Sequence, residues 1–105
     1  MKLQPHSFNK IKNGQKNIEV RLYDEKRKKI SLGDIITFWL QPDLKKNIEV
    51  KVVGLLNYPT FADLVNDFPA KNFGHPNKKT LLKTIYTFYT KKQEKEYTVL
   101  GIKIK

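Results

Sequence analysis

Cysteine is absent from the 105-residue chain. That excludes disulfides, thiolate metal sites and cysteine nucleophiles. Acidic residues are scarce: 10 Asp and Glu stand against 21 Lys and Arg, a net charge of +11. A field of that size attracts polyanions, whether nucleic acid, nucleotides, an anionic membrane face or acidic proteins. Glycine and proline number five each and are scattered, so no linker or low-complexity tract divides the chain, and no internal repeat is visible. No apolar run approaches the roughly 20 residues that span a bilayer. The opening residues 1–6 lack the apolar core of a signal peptide. The expectation is one domain over residues 1–105, cytoplasmic and without membrane association. No phosphate-binding glycine loop and no zinc-ligand spacing occur, and His6 and His75 are far apart in sequence. Neither a metal nor a cofactor is therefore expected.

What is present reads as alternating strands and short helices. Lys2-Leu3-Gln4 fits only a short strand. Pro5 suits a first helical turn, Phe8 and Ile11 share a face, and Gly14 ends a helix over 5–13. Strict alternation in Asn17-Ile18-Glu19-Val20-Arg21-Leu22 predicts a half-buried strand, with Ile18, Val20 and Leu22 on one face and Glu19 and Arg21 on the other. Residues 23–31 read as a charged loop. Strands follow at 35–40 and 48–56, with Trp39 expected in the core and Gly33 in a tight turn at positive φ. Thr60 caps a helix to about Asp67, an irregular basic loop covers 69–77, and Leu81, Leu82, Ile85, Phe88 and Tyr89 predict a helix over 80–89. A last strand is expected from Tyr97 to Lys105. The predicted class is α+β: a small, mixed, barrel-like sheet flanked by two to three helices.

Two regions carry chemistry. In the first, Lys16, Glu19 and Arg21 fall within six residues at the start of a strand. Read alone, they are either a solvated face with weak ion pairs or the lining of a binding site. Lys16 offers a point charge for phosphate, and Arg21 a planar donor fork. Glu19 is an acceptor for a base-edge amine or a general base for a 2′-hydroxyl proton. Tyr23, on the same strand face, is the candidate stacking wall. Lys26, Arg27, Lys28 and Lys29 follow directly. In the second region, Pro69 to Gln93, no acidic residue interrupts six lysines, Lys78, Lys79 and Lys83 among them. They alternate with Phe73, His75, Tyr86, Phe88 and Tyr89, a pattern suited to a single-strand track or, for the aromatics, to a core.

Gly14-Gln15-Lys16-Asn17-Ile18-Glu19-Val20-Arg21 resembles the G-x-K-x-I-E-x-R signature of the ASCH domain, a relative of the PUA-type RNA-binding fold. The resemblance continues through Leu22-Tyr23-Asp24, Gly33 to Phe38, Tyr58 to Phe61 and Val99 to Ile102, and so covers nearly the whole chain in order. It implies a five- or six-stranded barrel-like core with helices around a cleft that binds RNA or a nucleotide-like ligand and is lined by the signature. Some family members resemble amidohydrolases acting on acylated cytidine, others single-strand ribonucleases. The amidohydrolase type pairs a lysine with a threonine nucleophile and a distant glutamate. Lys16 matches the lysine, but Glu19 stands at the threonine position and Ala70 to Leu82 contains no acid.

Three functional readings follow. The first is a non-enzymatic binder of single-stranded RNA or a nucleotide, with contacts at Lys16, Glu19, Arg21, Tyr23, Lys26, Arg27, Lys28, Lys78, Lys79 and Lys83. The second is a hydrolase in the same cleft, a ribonuclease before an amidohydrolase, with Lys16, Glu19 and Arg21 catalytic. The third is a protein-interaction module.

Overall fold

The computed structural model describes residues 1–105. Five strands form one curled sheet: β1 (Lys2–Leu3), β2 (Ile18–Leu22), β3 (Ile35–Leu40), β4 (Asn47–Tyr58) and β5 (Val99–Ile104). Their spatial order is β1-β3-β4-β5-β2. β1 runs parallel to β3 and every other pair is antiparallel. The long strand β4 serves both halves of the sheet, and its register with β5 shifts between Val52 and Gly54. Such a bulge bends the strand and raises its twist. The sheet curls into a half-barrel whose edges, β1 and β2, are the chain's first two strands.

Four helices cover this sheet: α1 (Pro5–Lys12), α2 (Phe61–Asn66), α3 (Lys78–Phe88) and α4 (Lys91–Tyr97). α1 starts at Pro5 and ends as anticipated: Gly14, at φ +76°, donates its N–H to the Ile11 carbonyl at 3.0 Å. Side-chain oxygens of Thr60 and Asn77 accept from the N–H groups of Asp63 and Thr80, which start α2 and α3.

The sheet separates two apolar clusters. Inside the curl, α1 sets Phe8 and Ile11 against Phe38, Val52, Leu100 and Ile102. Outside it, α2 and α3 set Phe61, Leu64 and Ile85 against Ile18 and Val99. β2 and β5 are therefore packed on both faces, which is why β5 reads Val-Leu-Gly-Ile-Lys-Ile with one charge. Gly101 admits the close approach of α2: a Cβ there would stand 2.9 Å from Leu64 Cδ1.

Several features differ from the sequence reading. The last strand begins at Val99, because Lys91–Tyr97 is a helix and Thr98 turns the chain at φ +62°. β4 runs on to Tyr58. Trp39 is 38 % exposed rather than buried. β3 points Ile36 and Phe38 inward and Ile35, Thr37 and Trp39 outward, and its all-apolar ends give no alternation from which to read that parity.

Candidate nucleic-acid interface

The side-chain alternation of β2 explains the site. Ile18, Val20 and Leu22 face the outer helices, so Glu19 and Arg21 point into the curl, on the side of their β5 partners Ile102 and Leu100. β2 is an edge strand, and at this edge the half-barrel is open. Charges pointing inward there also block further strand pairing. Lys16 lies just before the strand. Its backbone N–H donates to the Lys10 carbonyl at 3.0 Å, and it forms a bridge with Phe73 of the 69–77 loop. The turn thus re-aims its side chain toward Glu19.

The three groups are not a solvated face. Glu19 is 4 % and Lys16 8 % exposed. Glu19 Oε1 accepts from Lys16 Nζ at 2.8 Å and from the Val20 N–H at 3.3 Å. Oε2 accepts from Arg21 Nη2 at 2.9 Å and Nε at 3.2 Å. Two oxygens with two lone pairs each are thereby fully used. Burial pushes the Glu19 carboxyl up, but the attraction and hydrogen bonds of Lys16 and Arg21 outweigh it and hold its pKa below the usual carboxylate range. Burial likewise pulls Arg21 down, and Glu19, with Tyr89 beside it, more than restores it. Arg21 Nη2 also donates across the opening to the Lys2 carbonyl at 3.1 Å, tying edge β2 to edge β1. Lys16 Nζ donates to Ser7 Oγ of α1 at 3.3 Å. These bonds leave one Lys16 N–H without a protein partner and, at the Arg21 guanidinium, which also hydrogen-bonds the Tyr89 side chain, one further N–H.

Above this triad lies a cleft of about 380 Å³, within the size range of small-ligand sites. Its floor is Lys16, Glu19 and Arg21. One wall is formed by α3 and the residue after it, Thr84, Phe88 and Tyr89. Phe88 is 61 % exposed at the mouth, and Tyr89 is stacked on Phe61, with ring centroids 5.5 Å apart.

The other residues singled out in the sequence are distributed differently. Tyr23 packs on the inner cluster, under the Lys28 ammonium, outside the cleft. Arg27 is paired with Asp24 and Lys28 with Glu25, both at 3.2 Å. The 26–29 cluster lies on the Arg21 side of the molecule: burial and then Arg21, Lys26 and Arg27 lower the pKa of the Met1 ammonium. Lys78 Nζ donates to the Asn66 carbonyl. Lys79 and Lys83 share the face of α3 opposite Leu81 and Ile85, away from the cleft. Of the aromatics, Phe73 is core and Tyr86 turns away to hydrogen-bond Glu94. Phe88 and Tyr89, and not Tyr23, form the aromatic wall of the cleft; their position at the end of a basic helix was the available signal. His75 also lines the cleft, and its ring centroid is 5.6 Å from that of His6. No cluster of three or more His, Asp or Glu able to hold a metal forms.

A mixed, curled half-barrel with a charged cleft at the opening between its edges defines a PUA-like domain. A sequence model of the ASCH domain matches residues 1–105, and the chain belongs to the ASCH family. It is similar to the hypothetical protein PH0355, whose crystal structure is 36 % identical and superposes with a TM-score of 0.86, over 100 % of this chain and 94 % of that one. It is also similar to protein PF0455 from Pyrococcus furiosus, known from a solution NMR structure: 31 % identity, TM-score 0.73, over 100 % and 93 % of the two chains. No curated protein sequence matches the chain. No helix is long and apolar enough to cross a membrane.

Proposed function

We propose that the cleft binds single-stranded RNA or a nucleotide-like ligand without transforming it. The observation that carries this reading is the balance of hydrogen-bonding capacity. Every acceptor position of Glu19 is used by the protein, whereas Lys16 and Arg21 retain free donors. A site of that kind selects ligands rich in acceptors: phosphate oxygens and base carbonyls. Glu19 then serves as the positioning residue that holds both cations, rather than as a reader of base amines. A carboxylate with a lowered pKa and no free lone pair is also a poor general base. Phe88 at the mouth offers a face on which a splayed base stacks, and the surrounding charge draws in the strand.

The test is titration of a labelled single-stranded RNA oligonucleotide at several salt concentrations. Four or five phosphate contacts give a slope of log affinity against log salt of about −3. Lys16→Gln should lower affinity at every salt concentration, and Phe88→Ala should cost about 1–3 kcal/mol. Absence of binding at low salt would remove the RNA reading. Turnover of the oligonucleotide by catalytic amounts of protein, lost in Lys16→Gln, would replace it with the hydrolase.

A further inference from the structure

Beside the cleft lies a second groove, of about 670 Å³, between α1 and the 69–77 loop. Its lining includes His6, Lys10, Gln15, Asn17, Lys71 and His75 and contains no acidic residue. His75 belongs to both cavities, so the two are contiguous. Gly74, at φ +81°, lines the groove, and the stems of Lys16 and Lys10 lie 3.4 and 3.5 Å from where its Cβ would be.

The charge of this groove is uncompensated, in contrast to the triad next to it. Lys10 and Lys71 enter no salt bridge. The groups around His75 are His6 and Lys10 from α1, Lys16 from the turn before β2, and Lys71 from its own loop. No acid lines the groove, and Glu19, on the far side of Lys16, is already engaged by Lys16 and Arg21. His6 Nε2 meets the Gly74 carbonyl at 3.1 Å. A carbonyl oxygen only accepts, so Nε2 carries the hydrogen and Nδ1 is the unprotonated ring nitrogen. Burial, then His6, Lys16 and Lys10, hold His75 below the usual histidine pKa. Two adjacent imidazoles among lysines with no counter-charge are a receptor for an anion: the anion supplies the missing charge and favours protonation of both rings.

We propose that this groove is a second anion subsite, taking the phosphate of a nucleotide whose neighbour occupies the cleft, and that the His6–His75 pair takes up a proton as the phosphate binds. The proposal rests on the nucleotide reading of the cleft for the identity of its ligand. It sets the path of a strand, from the Phe88 wall across the triad, over His75 and out between Lys10 and Lys71. Binding by the groove strengthens as pH falls through the histidine range, since the protonated rings donate hydrogen bonds to phosphate and the neutral ones only in part.

The test uses two probes and the full chain. Inorganic phosphate is titrated while the histidine ring signals are followed by NMR. Separately, a single-stranded RNA oligonucleotide is titrated near pH 5.5 and near pH 8. Phosphate is expected to move both histidine signals and to raise the midpoint of the His75 titration. The oligonucleotide is expected to bind about three- to tenfold tighter at the lower pH. That gain should vanish in His75→Asn and shrink in Lys71→Gln, a change at an exposed side chain. The Met1 amino group, whose pKa is also lowered, is intact in both variants, so their difference from wild type reports on His75 and Lys71 and not on Met1. Unmoved histidine signals, or an equal pH dependence in His75→Asn, would overturn the subsite. If phosphate titrates the histidines but no oligonucleotide binds, the cleft reading falls and the anion subsite stands. If the oligonucleotide binds while the histidines stay silent, the cleft stands and the subsite falls.

Discussion

Glu19 sits between two cations that have nowhere else to place their charge. Removing its negative charge leaves Lys16 and Arg21 adjacent, buried and mutually repelling, so Glu19→Gln should cost about 3 kcal/mol at neutral pH, read by urea unfolding. The pH dependence has a definite sign. The Glu19 carboxyl is lowered from its ordinary value of 4.5 in the fold, so the unfolded chain binds its proton more readily than the folded one. The stabilisation is therefore complete above the ordinary carboxylate range and is lost as pH falls through the lowered value. The difference between wild type and Glu19→Gln should be flat above about pH 6 and should narrow in strong acid. A difference that widens on acidification would mean that the carboxyl is protonated in the fold. The position of Glu19 was legible because Ile18, Val20 and Leu22 fix the strand parity. Its burial was not, because parity says which residues share a face and not what covers that face. The cover comes from α1 and from α3 with the segments flanking it, tens of residues away in sequence or across a turn.

Among the elements, α4 shows where periodicity fails. Lys91 to Tyr97 carries no apolar stripe, since the residue it buries is a carboxylate. Glu94 Oε2 accepts from the Phe61 N–H and from the Tyr86 hydroxyl, each at 2.7 Å, and thereby ties α4 to α2 and α3. Burial, with the Glu94 hydrogen bond next, pushes the Tyr86 phenol up to about 12. The one local sign of this helix was its start. Thr90 and Gln93 form a reciprocal capping box, with the Gln93 N–H 3.1 Å from Thr90 Oγ1 and the Thr90 N–H 2.9 Å from Gln93 Oε1. Thr90→Ala should lower stability by about 1 kcal/mol, seen as an earlier urea midpoint with an unchanged slope, and leave oligonucleotide affinity intact because Thr90 is outside the cleft. A loss of affinity equal to that of Phe88→Ala would show instead that α4 positions the cleft wall. α1, β2 and α3 were legible because their apolar spacing and their glycine or polar caps agree. The second groove was not, for it joins His6 to His75 across 69 positions of sequence.

At the scale of the molecule, the net charge of +11 is divided between groups that touch the cleft and groups that only shape the field around it. Lys16 and Arg21 belong to the first kind. Lys79 and Lys83, on the outward face of α3, belong to the second. The distinction matters because an exposed charge acts through solvent over a distance set by salt, about 10 Å at 0.1 M, whereas a donor inside the cleft makes a short, oriented bond. Replacing Lys79 and Lys83 together with glutamine should therefore slow association with single-stranded RNA at low salt and lower affinity severalfold there, with the deficit fading near 0.3 M, a concentration at which the screening length falls to roughly 6 Å. Base preference should not change, because these lysines are placed to attract a strand and not to read it. Lys16→Gln should show the opposite profile, a loss of affinity that persists when the field is screened. Parallel titrations of the double variant and of Lys16→Gln at low and high salt separate the two. If the double variant keeps its full deficit at high salt, the strand lies along the outer face of α3, and the cleft at the edges of the half-barrel is not its principal site.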